Sequence, residues 1–355
     1  MRNFFAGPGK MPASVLKRIQ DEMIDYAGTG MSVMEWSHRS DPILALLERV
    51  QNKLRRLLKL PDTSDVLLLQ GGGSLQFHMV PMNLTKPSDP VDYIDTGYWT
   101  QKAIESCRSM GRDVQVVAKN HCAIPRDIRT RPHSKYLHLC TNNTVVGTQW
   151  FSPPTVDIPL VADMSSDFLS TPQNVNAYDL IYAHAQKTVG TAGVTIVVFN
   201  QRIRQSIVSD VVPFFDYRVH AATGSNYHTP PVFAIYVLDC MLDWLETEIG
   251  GLERMGEINR QKAEILYGVL DQSEIYIAPV KRDSRSMMNV VFDIEDENLS
   301  RCFSESAKQR GFLGLDGHRS RGGFRASLYN AVTVDDVSCL VDFMLDFEKK
   351  ALAGC

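Results

Sequence analysis

The sequence predicts an α/β protein: a large domain with a mainly parallel mixed sheet flanked by helices, plus a smaller α+β domain. Three observations lead there. Short apolar runs recur at 66–69, 93–95, 114–117, 136–139, 160–162, 180–182 and 194–199. Many are continuous rather than alternating, as in strands covered on both faces. Helical periodicity at 12–27, 42–58, 74–84 and 99–110 falls between runs, and strand–helix alternation implies parallel pairing. After about residue 255 the pattern changes to long helices, at 252–271, 300–310 and 334–349, with strands only at 288–292 and 323–328.

Each element has its own justification. VLLL at 66 leads into QGGGS, a strand, a glycine turn and a helix start. LVA at 160 ends on Asp163, and LIY at 180 leads through AHAQ to Lys187 and a glycine-rich loop. The helix over 231–249 is the most apolar stretch, but Asp239 and Asp243 interrupt it, so it does not read as a membrane span. Repeats, low-complexity runs and flexible linkers are lacking, so the two domains are expected to pack closely with a ligand cleft between them.

Composition narrows the function class. A net charge of −4 gives no general nucleic-acid-binding surface. The seven cysteines are odd in number and include no C-x-x-C pair, which argues against a disulfide framework and against a zinc site. The opening residues contain no apolar stretch of signal-peptide length. A reducing, cytoplasmic compartment is the expectation.

Three segments carry chemistry. In VLLLQGGGSLQF, Gly71, Gly72 and Gly73 allow close backbone approach and Ser74 opens a helix, whose free N–H groups attract a phosphate. The alternative is a tight turn with no ligand. A P-loop would need G-K-[ST], and Gln76 stands where a dinucleotide fingerprint has its third glycine. Asp163 is placed at the carboxyl edge of the sheet, where open α/β sheets bind ligands. Lys187 lies between an apolar run and a glycine-rich loop, and partial burial would free its amine for Schiff-base formation. The plainer alternative is a lysine snorkelling at a strand end. A phosphate-binding helix start, an acid for a ring nitrogen and a lysine for an aldehyde are together what pyridoxal 5'-phosphate requires.

The segments NFFAGPGKMP, GTGMSVMEWSHRS, LLLQGGGSLQF, DYIDTGYW, TNNTVVGT, PLVADMSSD, YAHAQKTVGTAG, YHTPPVFAIY and GHRSRGGFRASLYNA run almost end to end. Through them the chain resembles the phosphoserine aminotransferase family, class V, fold type I pyridoxal-phosphate enzymes. The resemblance implies that Lys187 forms the Schiff base and that Asp163 keeps the pyridine nitrogen protonated. It implies that Trp99 stacks on the ring, where core packing is the commoner fate of a tryptophan. Gly73, Ser74 and Gln186 are implied at the phosphate, and Thr144 as a donor to a cofactor oxygen. His228 and Thr229 fall where the family has Asn-Thr, contributed to the cofactor phosphate by the partner subunit of a homodimer with shared active sites. The histidine is a departure, as is Thr188 in place of an asparagine beside the lysine. The expected domains are 16–254, binding the cofactor, and 1–15 with 255–355.

Two His-Arg-Ser triplets, at 38–40 and 318–320, and Arg325 offer planar forks for carboxylate and phosphate. Solvated surface arginines are the alternative. The resemblance implies that Arg325 holds the α-carboxylate. His38 and Arg39 would hold a distal carboxylate or phosphate, and His318 and Arg319 would add phosphate contacts from the neighbouring subunit. The implied reaction moves an amino group from L-glutamate to 3-phosphohydroxypyruvate, giving 3-phosphoserine and 2-oxoglutarate on the route to serine. A cysteine desulfurase or alanine–glyoxylate-type enzyme is the nearest alternative, and a non-catalytic scaffold the more distant one.

Overall fold

A computed structural model describes residues 1–353. Of the seven cysteines, Cys355 lies outside the described residues, and the other six are free thiols.

The apolar runs form one seven-stranded sheet. Its strands are β1 (Asp65–Leu69), β2 (Pro90–Asp95), β3 (Asp113–Lys119), β4 (Leu137–Cys140), β5 (Leu160–Asp163), β6 (Leu180–His184) and β7 (Thr195–Phe199). Their spatial order is β1-β7-β6-β5-β4-β2-β3. All neighbours are parallel except β7, which runs antiparallel to both β1 and β6. The cause is the short link 185–194: a parallel return needs a crossover of a dozen or more residues. That link carries Lys187.

Successive residues of one strand feed opposite cores. Leu67 and Leu69 join one, with Phe77 and Val80 of α3 (Gly72–Leu84) and Ile104 of α4 (Tyr98–Ser109). Val66 and Leu68 join the other, with Ile19 of α1 (Ala13–Glu22), Leu46 of α2 (Asp41–Leu57) and Ile235 of a helix at Val232–Asp243. Each such side chain, fully buried, stabilises by roughly 1.5–3 kcal/mol. Asp239, in the middle of that apolar helix, is buried against Lys53 Nζ at 2.6 Å and Arg49 at 2.9 Å. No helix among the described residues is long and apolar enough to cross a membrane.

The sequence expectations need three corrections. The first helix stops at Glu22, because Ala27 (φ 52°) and Gly28 (φ 75°) adopt left-handed backbone at a tight turn. The helix expected over 231–249 gives way after Asp243 to a wider turn over Trp244–Glu248. Two helices were not anticipated, α5 (Gln201–Ser206) and α6 (Tyr217–Ala222), each too short to show a period. The helix just described is therefore α7 (Val232–Asp243).

A third core lies in the last third of the chain. It joins α8 (Leu252–Leu270), α9 (Glu297–Gln309) and α10 (Val334–Leu352) to an antiparallel pair, β8 (Asn289–Phe292) and β9 (Phe324–Ser327). The N-terminus belongs here too. Phe4 is fully buried in this core, and Arg2–Asn3 pairs in parallel with Phe312–Leu313. From there the chain crosses to the sheet, where Gly9 N–H donates to Gln186 O at 2.8 Å.

Candidate active site

A cavity of about 200 Å3 opens at the carboxyl edge of the sheet, and its lining includes Gly73, Ser74, Trp99, Asp163, Gln186 and Lys187. Its floor is the turn after β1. Gly71 (φ 88°) and Gly72 (φ 64°) take left-handed backbone that side chains resist. A Cβ on Gly72 would also meet His184 Nδ1 at 3.0 Å. The first turn of α3, which starts at Gly72, carries no acidic side chain, so its positive end is left uncompensated.

Asp163 ends β5 and is buried, its Oδ1 accepting the Ser165 N–H at 2.9 Å. Burial raises its pKa, against the pull of the Ser165 hydrogen bonds and of Lys187. Lys187, on the β6–β7 link, is driven the other way: burial lowers its amine, and Asp163 only partly opposes this. Its Nζ sits 5.6 Å from the centroid of Trp99. The strap 6–9 closes one side, so that a Cβ on Gly7 would lie 3.5 Å from Lys187 Cγ.

Trp99 is held in turn. Its indole N–H donates to Thr144 Oγ1 at 3.1 Å, and Thr144 O accepts from Arg325 Nη1 at 2.6 Å. Arg325 comes from β9, is buried, and keeps its Nε without a partner among the described residues. A buried, unpaired guanidinium N–H is costly, and it marks a place for an anion. His318 packs on Tyr98, the neighbour of Trp99, with ring centroids 4.8 Å apart. His318 Nδ1 lies 2.7 Å from Ser320 Oγ and 3.2 Å from Ser320 N. Burial, then Arg325 and Arg319, lower the His318 pKa. Arg319 beside it is exposed.

Within its own chain His318 thus lies on Tyr98, the neighbour of Trp99. The reason is local. Gly317 N–H donates to Gly323 O at 2.8 Å, closing the 316–324 loop over the start of the strand that carries Arg325.

Eight expected site residues are not in the cavity lining: Thr144, His318, Arg319 and Arg325, described above, and His38, Arg39, His228 and Thr229. Of the last four, His38 and Thr229 are linked at a rim outside it. Thr229 Oγ1 lies 3.4 Å from His38 Nδ1, and Asn226 Nδ2 donates to His38 O at 2.9 Å. Gln70, just before the glycine turn, donates to Thr229 O at 3.0 Å. His228 packs on Phe214 at 4.7 Å, and Arg39 is exposed.

Sequence reasoning passed over several lining residues, among them Asn142, Ser165, Ser166 and His184. The available signal was position, since Ser165, Ser166 and His184 sit at or just beyond the ends of β5 and β6. Among the described residues no cluster of three or more His, Cys, Asp or Glu could hold a metal ion.

Known proteins match this arrangement over its whole length. The family model for aminotransferase class-V matches residues 2–340. A protein of Syntrophobacter fumaroxidans named phosphoserine aminotransferase is 46% identical over 353 residues, 98% of each chain. The solved phosphoserine aminotransferase of Bacillus circulans subsp. alkalophilus superposes with a TM-score of 0.95, at 41% identity over 98% of both chains. The solved phosphoserine aminotransferase of Trichomonas vaginalis, described as bound to PLP, gives a TM-score of 0.90 at 35% identity, covering 96% of this chain and 98% of that one.

Proposed function

The chain belongs to the class-V aminotransferase family, and from that premise we propose that it is a phosphoserine aminotransferase. It moves an amino group between L-glutamate and 3-phosphohydroxypyruvate, giving 3-phosphoserine and 2-oxoglutarate. One juxtaposition carries the reading: a buried amine and a buried carboxylate, Lys187 and Asp163, in one cavity, with the buried guanidinium of Arg325, its Nε unpartnered, behind the Thr144 that holds the cavity's Trp99.

The residues fit pyridoxal 5'-phosphate. The glycine turn leaves space that a side chain would fill, since a Cβ on Gly73 would lie 3.4 Å from Ser165 Oγ and 3.8 Å from Asp163 Oδ2. Bound there, the cofactor supplies an aldehyde for an amine and a ring that accepts electrons. Gly73, Ser74 and Gln186 hold its phosphate, Trp99 offers a flat face, and Thr144 has a hydroxyl proton to donate. Asp163 holds a proton at the ring nitrogen. Lys187 Nζ, whose charge burial disfavours, lifts the proton from the substrate's Cα and returns one to Cα in the second half of the cycle. Arg325 holds the α-carboxylate that both substrates share.

The distal anion needs further cations. His318 and Arg319 meet the phosphate from the same chain, and a dianion there would favour the charged imidazole. His38 touches Thr229 within one chain, yet neither lines that chain's cavity. The two segments therefore act together, and in our reading they complete the site of a second copy. The working unit is a cytoplasmic homodimer in which His38, Arg39, His228 and Thr229 serve the partner's cavity. Residues 16–254 make the large domain, and 1–15 with 255–355 the small one.

A desulfurase would need a reactive thiolate. The cavity's cysteine, Cys140, is instead buried, its thiol pushed up by burial and donating to Asn142 O at 3.3 Å. The test is a coupled assay with glutamate against keto acids with and without phosphate. We expect strong preference for 3-phosphohydroxypyruvate. Equal use of glyoxylate or an unphosphorylated analogue would overturn the assignment.

A further inference from the structure

Helix α8 carries two polar side chains into the interior. Asn259 and Lys262 are fully buried, and their spacing of three residues puts them on one face. Lys262 Nζ donates to the carbonyls of Leu328, Tyr329 and Val332 at 2.8, 2.9 and 2.8 Å. As an ammonium it has three protons, and all three are used on the turn that follows β9, although burial pushes its pKa down to about 7.

That turn holds Asn330, also buried. Asn330 Nδ2 donates to Leu169 O at 3.0 Å and to Thr188 O at 3.3 Å. Its Oδ1 accepts from Asn259 Nδ2 at 3.0 Å, and Asn259 also donates to Ser170 O at 2.7 Å. Leu169 and Ser170 belong to the loop after Asp163, and Thr188 is the residue after Lys187. The same turn reaches the strap, because Tyr329 OH donates to Ala6 O at 2.7 Å. One buried network therefore joins a helix of the third core to the loops behind both reactive groups.

We propose that Asn259, Lys262 and Asn330 are positioning residues, a clasp that fixes the Lys187 loop against the Asp163 loop and keeps the Lys187 amine in its buried setting. A packed core alone would be served by apolar side chains of similar volume, without the cost of satisfying so many polar atoms. The clasp touches neither substrate nor cofactor. It acts on the backbone that aims Lys187. The inference rests on Lys187 being the cofactor lysine.

The test titrates the visible absorbance of the pyridoxal-phosphate holoenzyme against pH, in wild type, Asn330→Ala and Lys262→Met. The nitrogen that titrates is Lys187's, bound to the cofactor; a buried setting disfavours its charged form, so a loosened loop that admits water should raise the midpoint by about half a unit or more. kcat should fall about tenfold with KM for glutamate little changed, since misaimed groups lose rate rather than binding. Leu340→Ala opens a gap in the third core without removing any of the network's hydrogen bonds, and serves as a control for lost stability; its midpoint should stay put. Should Asn330→Ala and Lys262→Met fail to fold, Asn259→Ser removes fewer bonds and is read the same way. An unmoved or lowered midpoint in folded clasp variants, or an equal rise in Leu340→Ala, overturns the clasp. If Lys187→Ala still shows the wild-type titration, the functional reading itself has failed instead.

Discussion

The cavity around Lys187 and the rim around His38 are built in opposite ways. Every group in the cavity has its place fixed by its own chain: Asp163 by Ser165, Trp99 by Thr144, and Thr144 by Arg325. The rim residues contact one another and the outside of the glycine turn, and Arg39 is exposed. One chain thus frames the space around Lys187 and Asp163 and leaves His38 and Thr229 outside it. In the reading proposed above, the rim completes the cofactor and substrate sites of a second copy.

Mutations should separate the two regions. Lys187→Ala has the largest expected effect: multiple turnover is lost, by at least ~10⁴-fold, since general acid–base work alone contributes about 10²–10⁴-fold. Thermal unfolding should stay near wild type. Borohydride labelling mapped to another lysine would break the comparison at its centre.

Asp163→Ala comes next. Turnover should fall about a hundredfold or more, each factor of ten being about 1.4 kcal/mol of barrier. Cofactor occupancy should fall far less, because the phosphate contacts remain. Asp163 also raises the Lys187 pKa, so its loss should move the pH profile of cofactor capture by apoenzyme to lower pH. Near-normal turnover would shift the role to Asp167, which burial raises to about 7.

The arginines test the rim against the cavity wall. Charge-assisted hydrogen bonds contribute roughly 1.5–3 kcal/mol each. Arg39→Ala should weaken use of both substrates about ten- to a hundredfold. Arg319→Ala should harm the phosphorylated keto acid more than glutamate, and equal harm would contradict a phosphate-specific role.

The smallest effect is the sharpest test. Lys187→Ala and Thr229→Glu, each nearly inactive alone, can be refolded together. If Thr229 serves the partner, one site of each hybrid dimer is wild type. Random mixing then restores about a quarter of wild-type activity. No recovery in verified hybrids would return the rim to its own chain.

Much of the fold was legible because burial on both sheet faces writes itself as continuous apolar runs. All seven central strands overlap the expected segments. What escaped was local. Ala27 gives no sign of its left-handed backbone, and helices of six residues show no period. The antiparallel course of β7 was readable only from the length of the link before it. In the cavity, Lys187 and Asp163 stood out because each follows an apolar run. Asn142 and His184 did not, since their placement depends on strand ends meeting across the sheet. That His318 packs on Tyr98 was invisible to motif spacing, because it depends on the closure of the 316–324 loop.

The N-terminal strap has a consequence for how the molecule is made. Phe4 finds its core, and Arg2–Asn3 its strand partner, only in the last third of the chain. At about 5–20 residues per second, a ribosome takes roughly 15–60 s to synthesise that partner after the N-terminus has emerged. For all that time the central sheet can form with the strap undocked. The strap that packs on the Lys187 side chain therefore docks late, and a nascent chain truncated before residue 312 would carry the amine and the acid without it.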